Sequence, residues 1–149
     1  MSITRRQLLI LTGLFFSSLP INANDTKTPC QSAGLFYPDR IPEDSDNNLV
    51  KVWNEGPGAS GEILHLDGSI LNQNGIVESN MNIEIWQTDK NGIYIHSRVP
   101  GQDKRDLNFQ GFGRTTSNES GEFYFKTIIP VQYFGRPPHI HLLIKKNNK

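Results

Sequence analysis

The sequence has very little cysteine and no excess of charge of either sign. Among its 149 residues only Cys30 is a cysteine, and 15 basic residues balance 15 acidic ones. A single cysteine excludes an intramolecular disulfide, a cysteine-rich zinc site and an iron–sulfur cluster. Zero net charge argues against a nucleic-acid-binding protein, which needs clustered lysine and arginine to neutralise phosphates. The length fits one domain of ordinary size.

Residues 1–23 are predicted to be an export signal, which gives a protein that is periplasmic or secreted. Arg5 and Arg6 form a positive start, an apolar stretch runs from Leu8 to Leu19, and Ala23 offers a cleavage position. The arginine pair also resembles a twin-arginine signal, so two export routes stay open. Glycine, serine and proline interrupt the apolar stretch, and no stable membrane span is expected after signal removal. The alternative is an amphipathic or buried N-terminal helix.

After residue 24 the sequence shows short strand-like runs between turns, without the long 3.6-residue apolar period of a helix. Residues 24–60 are predicted to be an irregular lead-in and residues 61–149 a catalytic-type domain. The pattern favours an all-β fold, an antiparallel β-sandwich. The predicted strands are 61–66, 81–87, 93–96, 122–129 and 139–144, with turns at 67–68, 89–92 and 118–121 and a long loop over 97–115.

The most informative local motif is a histidine pair near the end of the sequence, His139-Ile140-His141. On a strand, residues two apart share a face, so the two imidazoles lie side by side while Ile140 faces the core. Such a pair can bind a metal, or it can be two histidines on a solvated sheet face. His65 and His96 are further candidate ligands, but neither lies in a supporting pattern.

Two tyrosines add to this interpretation. Tyr133 precedes His139 by six residues, and Tyr94 follows the turn at 89–92. Ionising a phenol with a pKa of about 10 costs roughly 4 kcal/mol at pH 7, so only a hard, highly charged cation makes a tyrosinate ligand favourable. Fe(III) suits two phenolates with two imidazoles. On residue type alone, Tyr94 and Tyr133 could equally be ordinary strand aromatics.

Five blocks in order cover most of residues 34–144: 34–38 (GLFYP), 85–94 (IWQTDKNGIY), 108–114 (NFQGFGR), 121–128 (GEFYFKTI) and 130–141 (PVQYFGRPPHIH). In these blocks the sequence resembles the intradiol ring-cleavage dioxygenases, the family of protocatechuate 3,4-dioxygenase and catechol 1,2-dioxygenase. Its short, secreted, single-chain members resemble the sequence more than the two-subunit protocatechuate enzymes do. The resemblance implies a β-sandwich and an oxidoreductase of aromatic compound catabolism.

The resemblance also implies a ligand set and a reaction. One non-haem Fe(III) would be held by Tyr94 and His141 as equatorial ligands and by Tyr133 and His139 as axial ones. Tyr133 and Arg136 would be the catalytic residues, Tyr133 taking up a substrate proton and Arg136 stabilising negative charge on the substrate. A catecholic ring would be opened by O2 between its hydroxyl-bearing carbons, giving a cis,cis-muconate-type diacid.

Other positions in the matching blocks have less specific implications. Tyr37 and Pro38 are predicted to help wall the pocket. Asp106, Phe109 and residues 111–114 correspond to a loop near the site in the family, where turn packing alone is an equal alternative. Trp86 is predicted to be a core residue.

The sequence departs from the family at its end. Lys149 lies eight residues past His141, whereas family members continue with further strands and a glutamine that helps position substrate or oxygen. The sandwich is therefore expected to lack C-terminal strands. The alternative function is a truncated, inactive exported relative that binds metal or serves as a binding module. An unclosed sheet edge after Ile144 would invite pairing with another chain, so a homo-oligomer stays open, as does the choice of catechol.

Overall fold

The computed structural model describes residues 27–30 and 32–146. The predicted export signal over residues 1–23 lies outside these residues. Within them the chain forms five strands and no α-helix, and no helix is long and apolar enough to cross a membrane. The strands are β1 (Ile63–Ser69), β2 (Met81–Trp86), β3 (Phe112–Thr116), β4 (Glu122–Ile128) and β5 (His141–Lys146), with 3-10 turns at Val52–Asn54 and Gln102–Lys104.

The strands form two antiparallel sheets that pack as a sandwich. β1 pairs with β4, and the second sheet has the order β3–β2–β5. In the second sheet Trp86 lies opposite Phe112 on one side and opposite His141 on the other. The predicted antiparallel β-sandwich is confirmed.

Alternating side chains decide which face of β2 meets the core. Ile83 and Ile85 are fully buried between the sheets, whereas Glu84 and Trp86 point to the opposite face. The core between the sheets comprises Leu49, Val50, Ile70, Ile83, Ile85, Phe109, Phe125 and Ile128. Leu49 and Val50 come from the lead-in, which therefore supplies part of the core.

A buried polar contact ties the two sheets together. Thr127 Oγ1 donates to Gln87 Oε1 at 2.9 Å, and Gln87 Nε2 donates to the Ile128 carbonyl at 3.0 Å. Gln87 and Thr127 are fully buried, so these hydrogen bonds satisfy groups that would otherwise cost about 1–3 kcal/mol each.

The structure corrects two strand ends predicted from the sequence. Asp67 and Gly68 are not a turn: they lie inside β1, opposite Tyr124 and Phe123. Glycine is suited to this place because a Cβ on Gly68 would come within 2.8 Å of the Phe123 ring. β5 starts at His141, so His139 precedes the strand. The prolines before His139 lack the N–H that a ladder needs.

Two further assignments are wrong. Residues 93–96 are not a strand, since the His96 N–H donates to the Tyr94 carbonyl at 2.9 Å and turns the chain. The predicted loop over residues 97–115 instead ends in a strand, β3. The turns at 89–92 and 118–121 are confirmed by the bonds Gly92 N–H to Asp89 carbonyl and Gly121 N–H to Asn118 carbonyl, both 3.0 Å.

Gly113 is the residue of β3 that the packing restricts most. A Cβ there would lie 2.6 Å from the Asp46 carbonyl oxygen and would also overlap Leu49 Cδ1. We expect Gly113→Ala to lower the free energy of unfolding by about 1–3 kcal/mol, because backbone and a buried side chain must both move. Urea denaturation measures this. Gly58→Ala is the control, since its Cβ would lie 3.5 Å from the Val50 carbonyl oxygen, and an equal loss in both variants would contradict the packing explanation.

Candidate metal centre

A second buried cluster lies on the face of the β3–β2–β5 sheet that is turned away from the core. Trp86 from β2 and Phe112 from β3 are side by side in register, and Tyr94 and Tyr133 pack against them. Phe36 and Tyr37 from the lead-in cover this cluster. The site is therefore built on a rigid sheet face and closed by an irregular segment.

Buried Asp89 fixes the turn that delivers Tyr94. Its Oδ1 accepts the N–H groups of Asn91 and Ile93, both at 2.9 Å, and its Oδ2 accepts the Asp106 N–H at 2.6 Å. Gln102 Nε2 then donates to the Tyr94 carbonyl at 2.9 Å. These bonds hold the backbone on both sides of Tyr94 without using its phenol.

A tight turn delivers Tyr133 and Arg136 together. The Arg136 N–H donates to the Tyr133 carbonyl at 2.8 Å across Phe134 and Gly135, which have left-handed φ values of 43° and 74°. The turn returns the Arg136 side chain to the tyrosine, where Nη1 donates to Tyr133 Oη at 3.2 Å. A guanidinium charge therefore lies beside this phenol oxygen.

Four potential metal ligands meet at this place. Tyr94 Oη lies 3.1 Å from His141 Nε2 and 3.4 Å from His139 Nε2. The Tyr133 ring centroid is 5.0 Å from that of Tyr94 and 5.5 Å from that of His139. The structure thus brings together the four side chains that the sequence predicted, Tyr94, Tyr133, His139 and His141. Donor atoms bound about 2 Å from one ion are themselves about 3 Å apart, which is the spacing of Tyr94 Oη from the two imidazole nitrogens.

His139 is held in one tautomer by the backbone. Its Nδ1 lies 2.7 Å from the Pro137 carbonyl oxygen, so Nδ1 carries the hydrogen and donates it. The Nε2 lone pair is then free and directed at Tyr94. Among the residues described, no cluster of three or more His, Cys, Asp or Glu side chains could hold a metal. The candidate centre consists of two imidazole nitrogens and two phenol oxygens.

Burial keeps Tyr94 and His141 neutral in the metal-free protein. It raises the pKa of Tyr94 well above its usual value, and the Tyr133 phenol beside it acts in the same direction. Burial also lowers the pKa of His141 to about 4, with smaller contributions from His139 and Arg136. His141 is thus an unprotonated nitrogen donor at neutral pH, whereas a phenol of Tyr94 ionises only beside a strong cation.

The pKa of His141 predicts how the stability of the metal-free protein depends on pH. An imidazole of ordinary pKa, 6.5, in the unfolded chain binds a proton at a higher pH than folded His141 does at about 4. The free energy of unfolding should therefore fall as the pH falls from 6.5 towards 4. Urea denaturation at pH 7.5, 5.5 and 4.5 measures it, with His141→Gln showing a shallower dependence. His65→Gln is the control, and equal slopes in wild type and His141→Gln would contradict the assignment.

The other two histidines are not part of the centre. His65 lies on β1, and its Nδ1 is 2.6 Å from Tyr124 Oη on the neighbouring strand. The His96 ring is 6.1 Å from Phe36, and its Nδ1 accepts the Arg98 N–H at 3.1 Å. Both had been open as ligands on sequence grounds.

The less specific sequence predictions have mixed outcomes. Tyr37 does lie in the buried cluster, where its Oη donates to Glu84 Oε2 at 2.9 Å. Phe109 belongs to the core between the sheets. Asp106 accepts the Ser60 N–H at 2.7 Å and donates its own N–H to Asp89, so it supports the Tyr94 turn from behind. Sequence reasoning missed Phe36, whose ring stacks on Tyr94 at 5.1 Å, and the contact of Trp86 with His141. The alternation of side chains along β2 indicates which face Trp86 lies on. It does not indicate that Trp86 pairs with His141 of β5.

Comparison with known proteins gives the family of the chain. Residues 34–144 match the family model described as Dioxygenase, which is most of the chain. The chain belongs to the intradiol dioxygenase family. The matched range contains all four candidate ligands and Arg136.

The match covers only part of the length of each individual relative. The chain is 32% identical over 103 residues to the protocatechuate 3,4-dioxygenase beta chain of Burkholderia cepacia, covering 64% of this chain and 44% of the relative. It is 32% identical over 112 residues to the corresponding alpha chain of Pseudomonas putida, with 70% and 52% covered. An intradiol ring-cleavage dioxygenase from Tetranychus urticae superposes with a TM-score of 0.56 at 27% identity, covering 75% of this chain and 56% of that one. The chain spans about half the length of the curated relatives it matches.

Proposed function

We propose that the protein cleaves a catecholic ring with O2 at a non-haem Fe(III) centre and releases a cis,cis-muconate-type diacid. The observation that carries this proposal is the approach of both imidazole Nε2 atoms to one phenol oxygen, Tyr94 Oη, at 3.1 and 3.4 Å. Membership of the intradiol dioxygenase family supports the reaction class. The catechol and O2 together have the composition of the diacid, so no further reductant is needed.

The donor set fits a hard trivalent cation. Ionising a phenol at neutral pH costs roughly 4 kcal/mol, and the burial of Tyr94 adds to that cost. Fe(III) stabilises phenolate strongly enough to offset it. Tyr94, Tyr133, His139 and His141 would hold the ion. When bound, Fe(III) supplies a redox-active Lewis acid for the catechol oxygens.

The other groups of the site have roles that follow from their positions. Tyr133 Oη lies beside the guanidinium, and as a phenolate it would take up a proton from a substrate hydroxyl. Arg136, which is exposed, stabilises negative charge on the bound ring oxygens. The Phe36 ring, stacked on Tyr94 and edge-on to Tyr133, screens the phenols from water.

The decisive experiment loads the purified protein with iron and adds catechol, protocatechuate and hydroxyquinol in turn. We expect a burgundy-red protein from tyrosinate-to-Fe(III) charge transfer, a changed band in Tyr133→Phe, and O2 uptake with a muconate-type product for at least one substrate. A colourless protein that holds no iron would contradict the metal centre. Colour without turnover would contradict the enzymatic proposal and favour a metal-binding relative without catalysis.

Arg136 provides a test of the electrostatic role. We expect Arg136→Gln to lower kcat/KM by about 100-fold, because one preorganised positive group is lost beside developing negative charge. The red band should persist, since the four ligands remain. Arg98→Gln, another exposed arginine, is the matched control with unchanged kinetics. Loss of the iron in Arg136→Gln would show that the arginine supports the centre itself rather than the substrate.

We also propose that the protein acts after export. The support is the sequence pattern of residues 1–23, with two arginines before an apolar stretch. Mass spectrometry of the protein recovered from the periplasm or medium should give a chain that starts after Ala23. Recovery from the cytoplasm alone, with Met1 retained, would contradict export.

A further inference from the structure

The two histidines of the candidate centre are oriented in different ways. A metal-binding histidine usually donates its second N–H to a carbonyl or carboxylate, which fixes the plane of the ring. His139 follows this rule through its Nδ1 bond to Pro137 at 2.7 Å. For His141 the hydrogen bonds among the described residues include only the contact of Nε2 with Tyr94. Some other contact must hold its ring plane.

That contact is the indole of Trp86. The two rings are nearly parallel, with an angle of 4° between their planes and centroids 4.8 Å apart. Trp86 and His141 are direct partners in the ladder between β2 and β5, so the sheet register brings their side chains to one face. Trp86 is 2% exposed, and it flanks the His141 ring from the neighbouring strand β2. The imidazole cannot rotate about its long axis without losing this stack.

Trp86 is itself flanked by Tyr37, whose hydroxyl belongs to a small polar network at the sheet face. The Tyr37 ring meets it edge-to-face at 5.0 Å and 82°. Tyr37 Oη donates to Glu84 Oε2 at 2.9 Å, and Lys145 Nζ donates to the same oxygen at 3.1 Å. Glu84 is two residues before Trp86, on the same face of β2. The network therefore links the sheet, the lead-in segment and the indole into one rigid support.

We propose that Trp86 is a positioning residue for His141, whose imidazole plane it fixes by stacking so that Nε2 points at Tyr94. This inference rests on the proposed function for the identity of the ion, but the stack itself is a property of the metal-free chain. The stack on Trp86 does for His141 what the hydrogen bond from Nδ1 to the Pro137 carbonyl does for His139. Removal of the indole should free the His141 ring while leaving all four ligand atoms present.

The first test uses the full chain without metal. Protons above an aromatic face are shielded, so the ring protons of His141 should resonate upfield of those of a free imidazole in an NMR spectrum. Trp86→Leu should move the His141 signals downfield and leave those of His65 unchanged, while Trp86→Phe, which keeps an aromatic face, should retain part of the shift. Unchanged His141 signals in a folded Trp86→Leu would overturn the proposal. If Trp86→Leu fails to fold, Trp86→Phe decides by the same readout.

The second test measures Fe(III) binding, with the ion supplied as its citrate complex and detected by charge-transfer absorbance. We expect Trp86→Leu to weaken binding by 10–100-fold, the usual range for residues that orient a ligand, and Trp86→Phe to restore most of it. Phe125→Leu, a substitution in the core of the other sheet, should leave binding unchanged. Equal affinity in Trp86→Leu and wild type would overturn the role. If wild type binds no Fe(III), the proposed function fails, whereas the NMR result still decides the positioning.

Discussion

Tyr94→Phe is expected to weaken the red colour and to lower turnover by about 1,000-fold or more. The substitution removes one oxygen atom, which both imidazole Nε2 atoms face at 3.1 and 3.4 Å. Without it the site loses an anionic donor and retains one phenol and two neutral nitrogens. Metal-derived stabilisation of a transition state is worth several kcal/mol, and each 1.4 kcal/mol is tenfold in rate. Iron content by mass spectrometry and O2 uptake measure the two effects.

The sequence provides a matched control for this variant. Tyr124→Phe removes the same atom from a tyrosine on β4, which bonds to His65 at 2.6 Å, away from the four ligands. We expect its iron content and turnover to match those of wild type. A Tyr94→Phe protein that keeps its iron and its rate would contradict the assignment of Tyr94 as a ligand. So would an equal loss in both variants, which would indicate a general effect on folding.

Phe125→Ala is expected to cause the largest loss of stability, about 3–5 kcal/mol in the free energy of unfolding. The Phe125 ring is fully buried between the sheets, and truncation leaves a cavity that the paired strands cannot close. A loss of this size is a large fraction of the 5–15 kcal/mol typical of a domain. Urea denaturation of the metal-free protein measures it.

Phe134→Ala is the control for this substitution. The Phe134 ring is 74% exposed in the turn between Tyr133 and Arg136, so its loss should change the free energy of unfolding by less than about 0.5 kcal/mol. A small effect of Phe125→Ala, comparable with that of Phe134→Ala, would show that the two sheets do not depend on this ring for their packing.

The sequence predicted β2 and β4 because apolar residues alternate with polar ones, or are concentrated, over segments of typical strand length. They missed β3, whose residues Phe-Gly-Arg-Thr-Thr follow another glycine and read as a loop. The structure gives the reason: Gly113 is required by the close approach of Leu49 and the Asp46 carbonyl, which come from 60 or more positions earlier in the chain. A contact between residues so far apart in the sequence cannot be predicted from a local sequence pattern.

The same limit explains the outcome for the site. The sequence placed His139 and His141 together, since side chains two positions apart on an extended chain lie a short, fixed distance from each other. It could not choose among the four histidines and four tyrosines by spacing alone, and the resemblance to a family supplied the set that the structure brings together. The stack of Trp86 on His141 was missed because it depends on the pairing of β2 with β5.

By itself the sequence determined the all-β class, the turns at 89–92 and 118–121, and the kinds of donor atom available near its end. These follow from local periodicity, from turn chemistry and from short distances along the chain. Only the tertiary structure decided that Tyr94 meets His141 across 47 positions and that His65 pairs instead with Tyr124. The physical reason is that strand register is set by the burial of whole faces such as Ile83 and Ile85, and that register then fixes which polar side chains share the opposite face.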